Sequence, residues 1–170
     1  MSVAATTDAP VRLSQRPIPA DAFLQPLALA ALVLLMLNDH VLKDLAPGPL
    51  TGKLSDLVGL VVLPLLVLGA WELAMATLGR WHGPTCTALI VAIALAGGAF
   101  TAIKMSGDGA ETYRVAMGLA RWPIDALMAA AGGAQPPEAG RVRFVQDPSD
   151  MICLPALFVA WRVGRSRIGG

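Results

Sequence analysis

Ten polar residues in an otherwise apolar chain have the types and spacing to do chemistry: Asn38, Asp39, His40, Lys43, Lys53, Ser55, Asp56, Lys104, Ser149 and Asp150. His40 and Lys43 are three apart and share a helical face, while Asp39 and Lys43 are four apart, the spacing of an intrahelical ion pair. Lys43, Lys53 and Lys104 lie near helix ends. Beside a helix start a lysine can hold a phosphate, because the first helical turn also presents N–H groups without intrahelical partners. The same charges also fit a solvated rim of the kind that caps membrane helices. Asp150 carries a second reading: a carboxylate below the membrane surface must be paired, protonated or hydrated through a cavity, as a proton or cation site requires. Against this, Asp147-Pro148-Ser149-Asp150 makes a good helix start, with Asp147 as N-cap, Pro148 at the first position and acids favoured by the helix dipole. Thr51 could likewise cap the helix that carries Asp56.

Catalysis has weaker support. His40, Ser55 and Asp56 are triad residue types, but no nucleophile elbow surrounds the serine. Gly52-Lys53 is not a phosphate-binding P-loop, since Gly48 lies one residue too close and Leu54 replaces the hydroxyl residue. No Cys-x-x-Cys or Cys/His metal spacing occurs, so neither a metal nor a cofactor is expected.

The elements that position these residues must be membrane helices. Of 170 residues 55% are hydrophobic and only 15% charged, where a soluble domain carries about 25% charged residues. Mean hydropathy is +0.62, and a net charge of +1 gives no field for collecting nucleic acid. Charge-poor windows predict an all-α, polytopic bundle with about four transmembrane spans, over 22–42, 55–78, 84–104 and 148–163. A helix needs roughly 20 residues to cross a ~30 Å hydrocarbon core. The last apolar window, 151–161, is shorter than that, and spans only if Asp150 or Arg162 lies within membrane depth. Residues 1–21 read as a disordered cytoplasmic N-terminus, 105–147 as an extracytoplasmic insertion and 164–170 as a cytoplasmic tail.

Basic residues set the orientation. Arg12, Arg16, Arg80, Arg162, Arg165 and Arg167 fall on one side with Trp71, Trp81 and Trp161, which predicts cytoplasmic termini in a bacterial inner membrane. Cys86 and Cys153 then sit at opposite faces, too far apart to bridge. In the insertion, Glu111–Arg121 places Tyr113, Met117 and Ala120 on one helical stripe. Trp122-Pro123 is expected to break that helix, Ile124–Ala131 to resume it, and Arg141–Val145 to run extended. Such a segment fits the interface or a cap on the bundle.

Two stretches look alike. Ser55-Asp56, Leu63-Pro64 and Ala70-Trp71 match Ser149-Asp150, Leu154-Pro155 and Ala160-Trp161, each preceded by a helix ending in Lys43 or Lys104. This suggests two parallel helical-hairpin repeats. Aligned on their tryptophans, the repeats put Asp150 about one turn, ~6 Å, deeper than Asp56, with Lys104 as its first candidate partner.

These residues resemble the VanZ-like family of small bacterial membrane proteins, in which the second and fourth helices begin with charged motifs. Lys53 and Asp56 match the first motif, and Arg141 and Asp150 the second. No histidine follows Asp56, and no Asn or Gly follows Asp150 at a helical step. The segment NDHVLK…TGKLSD is similar to uncharacterised four-span bacterial membrane proteins, and the resemblance covers about residues 25–163. It implies a cell-envelope role. The leading expectation is a non-enzymatic envelope protein that binds an anionic membrane lipid or lipid-linked headgroup at its outer rim. The alternatives are a small transporter or channel subunit, oligomeric or paired with another membrane protein, using an intramembrane Asp, and a lipid-modifying enzyme.

Overall fold

Where water is absent, a long apolar run satisfies its backbone by becoming helical. The computed structural model describes residues 17–135 and 137–168, and three of its helices are long and apolar enough to cross a membrane: α1 (Pro26–Leu45), α2 (Pro49–Thr77) and α3 (Cys86–Met105). Two more helices follow, α4 (Gly107–Ala131) and α5 (Ala156–Arg165), with short 3-10 turns at Asp21–Leu24 and Pro148–Cys153. No strand occurs among the described residues.

Most of the N-terminal segment read as disordered lies outside the described residues. Its last residues are held against α2: Ala22 is buried, and the Ala20 N–H donates to Glu72 Oε2 at 2.7 Å. Gly69 makes room for this approach, since a Cβ there would lie 3.1 Å from the Ala20 methyl.

Helix α1 contains a π-helical stretch over Asn38–Leu42. The wider turn admits an extra residue, a feature frequent at functional sites. It leaves Asn38 buried against α2 and His40 exposed. Helix α2 begins six residues ahead of the predicted span, because Pro49 suits the first helical position. The N-cap is Gly48, not Thr51. Thr51 sits at the third position, where its Oγ1 accepts the Gly48 N–H at 3.3 Å. Pro64 is buried inside the unbroken helix, and α1, α3 and α5 all pack on α2.

Ser106 turns α3 directly into α4, its Oγ accepting the Gly109 N–H at 3.1 Å. The corner is tight, for a Cβ on Gly109 would fall 2.3 Å from the Ala102 carbonyl oxygen. The break expected at Trp122-Pro123 does not occur, and α4 continues through both residues to Ala131. Proline removes one helical N–H, but this part of α4 is exposed, so water can satisfy the released carbonyl. An Arg121–Asp125 ion pair at 3.0 Å and a Trp122 Nε1–H bond to the Pro137 oxygen at 2.7 Å hold the helix on either side. Residues 138–147 return along α4, joined by Val142 N–H to Arg114 O at 3.2 Å.

The last predicted span resolves into the 3-10 turn Pro148–Cys153 and the ten-residue α5, with Pro155 between them. The two Ser-Asp motifs therefore differ locally, one within α2 and the other in a 3-10 turn. Small residues let α5 approach α3: Gly97 lies under Leu157, and Gly164 under Leu89. Leu65, Leu68, Leu89, Ala92, Ala160 and Val163 form the core toward one end. Leu60, Val61, Cys153 and Ala156 form it toward the other, next to the polar residues described below.

Candidate functional site

Four elements bring the predicted polar residues to one end of the bundle. Asn38 turns inward from α1 and donates its amide to Thr51 O at 2.8 Å and to Ser55 Oγ at 2.7 Å. Ser55 passes its hydroxyl proton on to Asp39 Oδ1 at 2.6 Å, and Lys43 pairs with the same carboxylate at 2.7 Å.

The centre of the site is Lys104, near the end of α3. Its ammonium is buried between Asp56 of α2, at 2.7 Å, and Asp150 of the 3-10 turn, at 2.6 Å. Its remaining face lies over the rings of Phe144, 5.2 Å away, and Phe100, 5.5 Å away, a favourable place for a cation. Lys53 holds the other Asp150 oxygen at 2.8 Å, donates to Ser149 Oγ at 2.6 Å and lies 3.6 Å from Asp147. The pairing of Lys104 with Asp150 is the one expected from sequence. The one-turn offset between the two acids is not seen at their carboxylates, since one ammonium holds both.

Asp147 caps its turn as expected, its Oδ1 accepting the Ser149 N–H at 2.9 Å. Hydrogen bonds from the Ser149 hydroxyl and backbone hold the Asp147 carboxyl below the ordinary aspartate range.

These groups surround an open cavity of about 710 Å³ whose walls include Asp39, Lys43, Lys53, Ser55, Asp56, Lys104, Asp147 and Asp150. Asn38 and Ser149 stand behind this wall, bonded to Ser55 and Lys53. His40 is the predicted member that stays apart, exposed on α1. Tyr113, Arg143 and Phe144 of the insertion complete the cavity. Tyr113 and Phe144 pack with ring centres 4.9 Å apart, and Arg114 fixes the Phe144 carbonyl at 3.1 Å. Sequence reasoning found the Tyr113 stripe but missed Arg143 and Phe144. Their signal was the alternation of Arg141, Arg143 and Val145 with Val142 and Phe144, which gives an extended return segment two unlike faces.

The chemistry of the lysines differs from the expectation. All three are engaged by acids: Lys43 by Asp39, Lys53 by Asp150 and Lys104 by two aspartates. Arg143 reaches the cavity and makes no ion pair among the described residues.

A second charged cluster, unforeseen in sequence, lies at the opposite end of the bundle. Glu72 is only 2% exposed, and Arg167 sits 3.6 Å from it while also pairing with Asp21 and donating to Ile18 O at 3.1 Å. The signal was Glu72 itself, an acid within an apolar run.

Comparison with protein-family models, with curated proteins and with solved structures found no match for the chain.

Proposed function

We propose that this is a multi-pass protein of the bacterial cytoplasmic membrane that binds an anionic lipid or lipid-linked headgroup at the extracytoplasmic end of its bundle. The observation that carries this reading is Arg143, a cation without an ion partner among the described residues, at a cavity whose other charges are matched. An anionic phosphate supplies what Arg143 lacks, in a cavity that the half-exposed Lys43 also lines. Lys104, Asp56 and Asp150 serve as a fixed floor rather than as ligand contacts.

Four crossings accompany this reading. Asp56 and Glu72 are sixteen residues apart on α2, about 24 Å along its axis. Asp150 meets the charged group at the first level, and Arg167 meets Glu72 at the second. The segment between them therefore runs the length of the bundle, although α5 alone is only ten residues long. Of the residues behind the VanZ-like resemblance, Lys53, Asp56 and Asp150 gather here, while Arg141 pairs with Glu111 at 2.9 Å.

The same geometry favours binding over conduction. Directly past Asp56 and Asp150 the bundle is filled by Leu60, Val61, Cys153 and Ala156, so an apolar core lies beneath the charged floor of the cavity.

The test is thermal unfolding of the protein in lipid nanodiscs containing increasing phosphatidylglycerol. The midpoint should rise with anionic lipid, fall back with salt, and lose most of this dependence in Arg143→Gln. A midpoint that ignores phosphatidylglycerol, or a dependence untouched by Arg143→Gln, removes the proposal.

A further inference from the structure

At the end of the bundle that holds Glu72, a cavity of about 270 Å³ opens between α2 and the start of α3, with Glu72, Arg80, Trp81 and Thr85 in its wall. Two buried polar atoms in this wall lack a hydrogen-bond partner, Glu72 Oε1 and Trp81 Nε1. Their needs are opposite: the carboxylate oxygen requires a donor, and the indole N–H requires an acceptor. The other Glu72 oxygen is already engaged by the Ala20 N–H and lies near Arg167. A ligand that satisfies both orphans must carry a donor and an acceptor a few ångströms apart. Arg80 beside Trp81 makes an anionic acceptor the better match, and Glu72 makes a cationic donor the better match.

The cavity continues into an apolar groove of about 310 Å³ along α2 and α3, sharing Trp71, Thr85 and Ala88 with it. The groove runs on past Val91 to Leu95, about 15 Å from Thr85 at 1.5 Å per residue. Tryptophans at a membrane protein's edge sit at headgroup level, which places Arg80 and Trp81 at the headgroups, Glu72 just inside them and the groove among the acyl chains.

We propose that this crevice holds one phospholipid with a primary-ammonium headgroup, its ammonium on Glu72, its phosphate between Arg80 and the Trp81 indole, and an acyl chain in the groove toward Leu95. A choline headgroup has no N–H for the carboxylate. An anionic glycerol headgroup offers the carboxylate hydroxyl donors but no cation. The site is separate from the cavity that contains Arg143.

The experiment is native mass spectrometry of the full-length protein after equilibration with equal amounts of phosphatidylethanolamine, phosphatidylcholine and phosphatidylglycerol of identical acyl chains. One phosphatidylethanolamine per chain should be retained roughly tenfold over phosphatidylcholine, as loss of one charge-assisted hydrogen bond implies. Trp81→Phe, which keeps a ring and removes the donor, should lower retention, and Glu72→Gln should abolish the headgroup preference. Because Glu72 also holds Ala20, Trp81→Phe and the lipid comparison on the unaltered protein decide the matter if Glu72→Gln does not fold. Equal retention of the ethanolamine and choline lipids overturns the proposal, as does retention unchanged in Trp81→Phe. Binding of free glycerophosphoethanolamine without any retained lipid overturns the lipid assignment. Loss of the preference in Arg143→Gln overturns the location.

Discussion

Replacing Lys104 by Met removes the ammonium that Asp56 and Asp150 share and tests whether the central ion group is a buried network or a wet rim. The side chains of Lys104 and Asp150 are 6% and 8% exposed, and that of Asp56 is 23% exposed. Breaking a buried pair by removing one partner costs about 3–5 kcal/mol, because the remaining charge is left uncompensated. For a chain of this size each kcal/mol moves the unfolding midpoint by about 2–4 °C, so Lys104→Met should lower it by about 6–20 °C. Asp56→Asn should cost less, about 1–2 kcal/mol, since Lys104 keeps Asp150 and Asp56 is partly hydrated. The geometry also selects the rescue. Lys104→Met combined with Asp56→Asn leaves Lys53 and Asp150 as a matched pair, so the double variant should recover part of the loss. Lys104→Met combined with Asp150→Asn leaves Asp56 without a cation and should recover less. Lys43→Met is the control, because Lys43 and Asp39 are 40% and 36% exposed and such pairs are worth about 0–1 kcal/mol. Thermal unfolding in one detergent, run as a double-mutant cycle, measures all of these. A Lys104→Met shift no larger than that of Lys43→Met, or additive doubles, would refute the reasoning.

Gly118→Ala should destabilise the insertion, because its new Cβ would collide with the Gly140 carbonyl oxygen; a loss of about 1–3 kcal/mol is expected, read as faster proteolysis of residues 132–147 with the bundle intact. Asp147, whose carboxyl is held below its ordinary range, contributes stability above the unfolded value of about 3.9 and loses it as pH falls through the folded value. Asp147→Asn should therefore flatten the acid limb of the stability profile, and an unchanged limb counts against the cap. Reporter fusions at Gly170 and within 106–140 should report opposite sides of the membrane, with Gly170 cytoplasmic; a cytoplasmic insertion would reverse the proposed site's side.

Composition and periodicity made the long helices legible, since any charge-poor run of that length has one backbone solution in lipid. The polar residues of the site were legible by type, and the Lys104–Asp150 pair by analogy between two Ser-Asp motifs. Register was not. The π-helical stretch at Asn38–Leu42 changes which side chains face α2, and no propensity marks where a helix will admit one extra residue. The two acids were set at different depths because both were assumed to lie on regular α-helix. Residues 148–153 instead form a 3-10 turn, which rises about 2.0 Å per residue against 1.5 Å for the α-helix. Pro123 was read as a break because proline forfeits a helical hydrogen bond. On an exposed helix water replaces that bond, and the flanking Arg121 and Trp122 contacts are not encoded in local sequence. Arg167 was counted only as a cytoplasmic charge, since its partners Asp21 and Glu72 are distant in the chain.

The spacing of the two ion groups decides which of them the membrane submerges. They lie about 24 Å apart along α2, while the hydrocarbon core is about 30 Å thick, and tilting the helix only shortens the projected distance. Both groups cannot sit at headgroup level. Helix α3, twenty residues from Cys86 to Met105, matches the core thickness. Lys104 is next to its last residue, so the Lys104 group falls at one boundary and can be hydrated through its cavity. The Glu72 cavity includes Ala88, already inside the first turn of α3, so Glu72 is the deeper acid. A carboxylate at that depth needs partners supplied by protein or ligand. Ala20, Arg167 and the N-terminal turn supply them for one of its oxygens, which explains why residues 18–24 and the last residues after α5 fold back onto the same stretch of α2. Its other oxygen has no hydrogen-bond partner, in a residue that lines the cavity with Arg80 and Trp81.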